Sequence, residues 1–334
     1  MDMDRRELMK LAAVFAAALA LGQAHAMDRP GSSRKPTAAG GGEPQNVNAV
    51  GGTSNFKAIY GDPELRAAFL LFLANVYNLY PEERFHKLIA DVTAAQSNDR
   101  DVYRLVQGRL DEIRPFLADV RLALPALAKQ KTEMARQTLE LMSAQRKLDG
   151  YMEIGTTGRY ISRIQSQVDI RGDLVLVHSD APGFSPTDIV ERGQLGRIGR
   201  FVPLNDYAAL PASAVPDSSL DLITNFIGFH HSPPERLEPF MKSLHRTLRP
   251  GGRMIVRDHD VDSPKMNRMV ALAHDVFNLG LGTEWTVNQA EIRRFASLQQ
   301  LTEQLARAGF RRDPRALYQP GDPTRNALMV FAKA

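Results

Sequence analysis

From Tyr151 onward the chain alternates short apolar runs with helical or loop stretches, and this alternation constrains the fold more than any other feature. The runs are YMEIG from Tyr151, DLVLVHSD from Asp173, RFVPLND from Arg200, LDLITNFI from Leu220 and RMIVRD from Arg253. Strands separated by helices cannot pair as hairpins, so they predict a parallel sheet with helices packed on its faces. The tail differs: DPRALYQPGDPTRNALMVFAKA, from Asp313, holds two strand-like runs around a Pro-Gly-Asp-Pro turn and predicts an antiparallel hairpin that closes the sheet. Before the last parallel strand, Arg249-Pro250-Gly251-Gly252 reads as a turn that uses the positive φ open to glycine.

Upstream the pattern is helical. Asp62-Pro63 reads as a helix cap followed by proline in the first turn, and apolar residues then recur at helical spacing as far as Leu148. Residues 56–148 are therefore expected to form three to five helices, with 149–334 as the α/β unit. Residues 27–55 are rich in Gly, Pro, Ser and Asn without apolar periodicity, and read as a flexible linker. Residues 1–26 carry Arg5-Arg6, an apolar run from Leu11 to Leu21, and Ala24-His25-Ala26 as a small-x-small cleavage site. A run of about 11 apolar residues is too short for a bilayer of roughly 30 Å, so the segment reads as a signal peptide of twin-arginine type. The chain is expected to be periplasmic or exported if the signal is processed, with the export machinery as a partner; otherwise it would be cytoplasmic or membrane-associated.

Composition removes several classes. With no cysteine among its 334 residues, the chain has no disulfide, thiolate metal site or cysteine nucleophile. Its 42 basic and 38 acidic residues form no dense cationic run, so no nucleic-acid partner is expected. Nothing in the sequence sets an oligomeric state.

Ligands of an open parallel sheet bind at the carboxyl ends of its strands. The residues there are Glu153, Gly155, Thr156, Thr157 and Gly158 after the first strand; Asp180 after the second; Asn205 and Asp206 after the third; Phe226, Gly228, His230 and His231 at the fourth. The stretch from Leu204 to Asp260, with Asp206, Leu210-Pro211, Asp221-Leu222 and the Pro-Gly-Gly turn, resembles the second half of a class I S-adenosylmethionine-dependent methyltransferase. YMEIGTTG resembles that family's first motif. The resemblance covers roughly residues 150–260 and implies a Rossmann-like, doubly wound sheet.

It also implies roles. Gly155 would let the backbone approach the methionine and ribose portion of S-adenosylmethionine, and Glu153 would accept a hydrogen bond from the ligand ammonium or a neighbouring amide. Asp180 would bond the ribose hydroxyls, Asp206 would receive the adenine amino group beside Asn205 or Tyr207, and Phe226 to His230 would line the pocket near the sulfonium. His230 and His231 are the candidate catalytic bases. The acceptor implied is a small or lipid-like oxygen or carbon compound, because HHSPPE lacks the (Asn/Asp)-Pro-Pro-aromatic signature of amino-group methyltransferases.

Thr157 and Arg159 depart from the family's glycine loop. Either they weaken the cofactor site, or the threonine hydroxyls bond the ligand carboxylate while Arg159 faces solvent or pairs with Asp180. A dinucleotide oxidoreductase is the rival, but Gly155-Thr-Thr-Gly158 is a poor G-x-G-x-x-G. The His259 and His274 region, flanked by Asp258, Asp260 and Asp275, is explained by strand-end and helix positions, and no metal is expected. Residues 261–297 read either as a substrate cover or as ordinary packing. Export and an intracellular methyl donor pull against each other, so a second reading stands: an exported, non-catalytic binding or scaffold protein on a degenerate methyltransferase fold.

Overall fold

The computed structural model describes residues 54–115 and 119–334; the segments read as signal peptide and most of the linker lie outside the described residues. Ser54 caps the first helix, α1 (Asn55–Tyr60), by accepting from the Lys57 amide at 3.0 Å. Asp62 caps α2 (Pro63–Phe72) by accepting from the amides of Glu64 and Leu65 at 2.9 and 3.1 Å, the cap expected from Asp62-Pro63. α3 (Glu82–Ala95), α4 (Asp99–Gly108) and α5 (Leu124–Leu141) complete the helical segment.

The first strand, β1 (Lys147–Ile154), begins two residues before the expected boundary at Asp149. It is followed by α6 (Ile161–Gln165), β2 (Asp169–His178), α7 (Pro186–Arg192), β3 (Arg200–Pro203) and β4 (Leu220–Asn225). Next come α8 (Pro234–Thr247), β5 (Leu248–His259), α9 (Pro264–Gly280), α10 (Trp285–Ala290) and α11 (Leu298–Arg307), and then β6 (Phe310–Tyr318) and β7 (Asn326–Lys333).

The strands form one seven-stranded sheet in the order β3-β2-β1-β4-β5-β7-β6, parallel except where β7 pairs antiparallel with β5 and β6. This is the doubly wound sheet with a closing hairpin that the alternation predicts. The order reverses between β1 and β4, the position at which such sheets open a ligand crevice. The Pro250-Gly251-Gly252 turn lies inside β5 and not before it: pairing jumps from Leu220↔Leu248 to Leu222↔Arg253, and the extra residues bulge out.

The two-residue period of the strands sorts their side chains onto two faces. Met152, Ile154, Ile223, Met254 and Met329 join one core with α8 and α11. Tyr151, Leu222, Ile255 and Leu328, from the alternate positions, pack with α5 and α6. A third core joins α1 to α4 with Met269, Leu272, Val276 and Phe277 of α9. α9 therefore packs into the helical segment, and α5 joins that segment to the sheet, with Leu127 in this core and Met134, Leu139 and Leu141 in the core of Tyr151; Trp285 packs against Tyr103 of α4 with ring centroids 5.2 Å apart. Residues 261–297 serve as packing first.

Candidate functional site

Register aligns the carboxyl ends of the central strands. Ile154 stands beside Val177 on one side and Asn225 on the other, and Asn225 stands beside Val256. The next residues, Gly155, His178, Phe226 and Arg257, form the rim of the crevice.

On the β1 side the site is dense with polar groups that satisfy one another. Glu153 is fully buried, and its carboxylate takes hydrogen bonds from the Thr156 hydroxyl and, at 3.4 Å, the Tyr160 amide; the Tyr151 hydroxyl lies 3.1 Å away. Burial pushes this carboxyl above its ordinary range, and those partners oppose the push. The Thr156 oxygen in turn accepts from the amides of Gly158 and Arg159 at 3.2 and 3.0 Å. Arg159 neither faces solvent nor meets Asp180: it is fully buried and paired with Glu191 of α7, with Gln130 of α5 nearby. Lys131 of α5, also buried, donates to the Val190 carbonyl at 2.8 Å, and its removal from water depresses its ammonium to about 8.

Gly155 has φ +92°, and a methyl group added there would collide with the Ile227 side chain. Close approach is therefore required at Gly155, and in this arrangement Ile227 makes it. Phe226 is buried with its ring edge-on to Tyr160, centroids 4.6 Å apart, forming an apolar wall beside the loop.

Across the rim, Asp180 is exposed, its amide held by His178 Nδ1 at 3.1 Å. Asn205, Asp206 and Tyr207 take successive positive φ values of 46°, 54° and 58°. This conformation is unfavourable for L-residues and is tolerated best by Asn and Asp. Arg236 of α8 holds the turn by donating to the Asn205 and Asp206 carbonyls at 2.9 and 3.0 Å and pairing with the exposed Asp206 carboxylate at 3.1 Å. Tyr207 is turned inward against Phe240.

The histidines form a second centre. Gly228 has φ +75°, and a Cβ there would lie 2.7 Å from His230 Nδ1 and 2.9 Å from Asp258 Oδ2, so the chain turns tightly only because side-chain atoms are missing. His230 Nδ1 donates to Asp258 at 2.6 Å, while the other Asp258 oxygen accepts from the Phe229 amide at 2.8 Å. Burial alone would raise the Asp258 carboxyl; His230 and the amide hold it below its ordinary range. Burial also outweighs Asp258 at His230 and keeps the imidazole neutral near neutrality. His231 Nδ1 meets the Ile292 carbonyl and Glu291, each at 3.1 Å.

Glu291 is anchored by Arg293, which also bonds Asp275 at 2.7 Å and Asn288 at 2.6 Å. Despite burial, Arg293 and His231 lower the Glu291 carboxyl to about 2. Sequence reading named His230 and His231 but missed Asp258 as the partner of the first and the Glu291–Arg293–Asp275 network behind the second. Their spacing in the chain carries no such signal. A cleft of about 510 Å³ opens beside this centre, lined by Phe229, His230, Ser232, Asp258, Arg293 and Phe295 among others.

The sheet order, the reversed strand pair and a positive-φ loop after β1 define a class I methyltransferase. The profile of a family described as "Methyltransferase domain" matches residues 127–313, and the chain belongs to this family. Its cofactor is S-adenosylmethionine. No curated protein matches the sequence.

Solved structures similar to the chain include the 1,6-didemethyltoxoflavin-N1-methyltransferase of Burkholderia thailandensis, at 18% identity and TM-score 0.41, covering 63% of this chain and 79% of that one. The mitomycin 7-O-methyltransferase is similar at 14% identity and TM-score 0.43, covering 84% and 70%. A possible exported protein of Bordetella parapertussis is similar at 14% identity and TM-score 0.42, covering 84% and 95%. Likenesses this distant carry no functional argument.

The ribose and adenine half of the crevice fits the cofactor. Asp180, Asn205 and Asp206 present exposed polar side chains on neighbouring strand ends, as a ribose and adenine require, and the loop at Gly155 and Gly158 has the left-handed backbone of a ligand cradle. The methionine end is the tighter half, because Thr156 already occupies two loop amides.

Proposed function

We propose that the chain transfers a methyl group from S-adenosylmethionine to a small or lipid-like oxygen or carbon acceptor held in the cleft beside His230. When bound, the cofactor supplies a methyl that is already electrophilic, so the protein's work is to align the acceptor and exclude water. Asp180 would hold the ribose hydroxyls, Asn205 and Asp206 the adenine, and the wall of Phe226 and Tyr160 would keep water from the reacting centre. Glu153 would brace the loop through Thr156. His230, neutral and oriented by Asp258, has an Nε2 lone pair to take the acceptor proton, and Asp258 would stabilise the imidazolium that results. His231 would orient its neighbour. The observation that carries this reading is the buried His230–Asp258 pair, which lines a cleft at the carboxyl ends of β4 and β5.

One feature supports the second reading, a non-catalytic binding protein: Ile227 over Gly155 and Thr156 on the loop amides fill space that the methionine end would use. Calorimetric titration of S-adenosylmethionine and S-adenosylhomocysteine into the full chain separates the two. Micromolar binding that Asp180→Ala and Asp206→Ala abolish is the expected result; no binding up to millimolar ligand would favour the non-catalytic reading. We also infer export from residues 1–26, a reading that a reporter fused after Ala26 tests. Among the described residues no helix is long and apolar enough to cross a membrane.

A further inference from the structure

The two histidines after β4 are not alone. His259 ends β5 and His274 lies on α9, and the ring centroids of His230 and His231 are 4.1 Å apart, of His230 and His274 5.3 Å, and of His259 and His274 5.4 Å. All four rings line one small cavity of about 10 Å³, room for roughly one water or ion.

Each ring is turned the same way. His230 Nδ1 donates to the Asp258 carboxylate at 2.6 Å, His231 Nδ1 to the Ile292 carbonyl at 3.1 Å, His259 Nδ1 to the Thr324 carbonyl at 2.9 Å and His274 Nδ1 to the Val270 carbonyl at 2.9 Å. A carbonyl or carboxylate only accepts, so Nδ1 carries the proton and Nε2 carries the lone pair in every neutral ring. His230 Nε2 is buried with no hydrogen-bond partner, which would be costly if nothing were to meet it. Imidazoles whose outer nitrogens are fixed by carbonyl and carboxylate acceptors are the usual arrangement around a metal ion, where the acceptor sets tautomer and aim.

We propose that His230, His231 and His274 bind a divalent first-row transition ion, Zn²⁺ foremost, with His259 lining the same cavity. A ligand atom from each of the three lies within 4.8 Å of the others. An ion with bonds of about 2.1 Å would draw them inward by side-chain rotation. Nitrogen-only donors suit zinc, copper, iron or nickel and exclude magnesium and calcium, which take oxygen. The carboxylates of Asp258 and Glu291, bonded to two of the rings, supply negative charge against the cations of Arg257 and Arg293 nearby.

Three protein ligands leave a position open, and His230 and Asp258 also line the larger cleft. Metal binding itself stands or falls independently of methyl transfer.

The test uses the full chain, stripped with a chelator and titrated with Zn²⁺ by calorimetry and with Co²⁺ by visible absorption. Expected are one equivalent of either ion, the d–d bands of tetrahedral nitrogen-ligated Co²⁺, and at least about 100-fold weaker binding in His274→Ala and in His274→Gln. His245→Ala, which changes a histidine packed on Phe310 away from the cluster, should leave affinity unchanged. Absence of stoichiometric binding, an absent d–d band, or equal affinity in the His274 and His245 variants would overturn the proposal. Cofactor titration of the same samples reports separately on the methyl-transfer reading.

Discussion

Removing the guanidinium at Arg293 should cost about 3–5 kcal/mol near pH 7, because it leaves two buried carboxylates without their cation. The Arg293 side chain is 2% exposed, and its partners Asp275 and Glu291 are 1% and 4% exposed. Burial alone would raise the Glu291 carboxyl, yet the ion pair brings it to about 2 from an ordinary 4.5. A depression of that size corresponds to about 3 kcal/mol of stability from the ionised form. The sign follows from which state holds the proton. In the native protein Glu291 stays ionised to lower pH than in the unfolded chain, so its contribution is complete above about pH 4.5 and is lost as pH falls towards 2. In Arg293→Met, burial dominates and Glu291 takes up a proton, so that contribution is absent at every pH.

The gap between the two proteins should therefore be widest near neutrality and narrow as acid is added. Urea unfolding followed by far-ultraviolet circular dichroism, near pH 7 and near pH 3, measures both. Adding Asp275→Asn and Glu291→Gln to Arg293→Met should recover much of the loss, since neutral amides need no cation. A loss below about 1 kcal/mol near pH 7, or one equal at both pH values, would refute the reasoning.

Two other substitutions probe the site. Lys131 is depressed from its ordinary 10.5 to about 8, so the unfolded chain binds the extra proton between these values; stability should rise by up to about 3 kcal/mol across that window, and Lys131→Met should abolish the rise in urea titrations. Gly228→Ala places a methyl against His230 and Asp258 at φ +75° and should cost about 2–4 kcal/mol by urea midpoint. Gly251→Ala, at φ +79° with open space around it, should cost only about 1–2 kcal/mol, and equal losses would mean that no collision occurs at Gly228.

Much of the fold is legible in the chain because periodicity is local. The run Tyr151-Met152-Glu153-Ile154 carries its two faces in its order, and the Asp62-Pro63 cap works within one helical turn. The rim of the candidate site is legible for the same reason: in a parallel sheet the residue after each strand must arrive at one edge, which places Gly155, Asp180, Asp206 and Phe226 there before any coordinate is known.

What sequence order leaves open is decided by packing between elements far apart in the chain. Arg159 reads as a cation that faces solvent or pairs with Asp180, yet α5 and α7 close over it and pair it with Glu191. Asp258 and His230 are separated by 28 residues, and only the β4–β5 pairing brings them to 2.6 Å. His274 belongs to a helix whose pattern speaks of core packing. The tertiary fold sets His274 against the ends of β4 and β5, so that imidazoles from three elements face one cavity, because packing the apolar face of α9 into the helical segment fixes which of its side chains turn towards the strand ends.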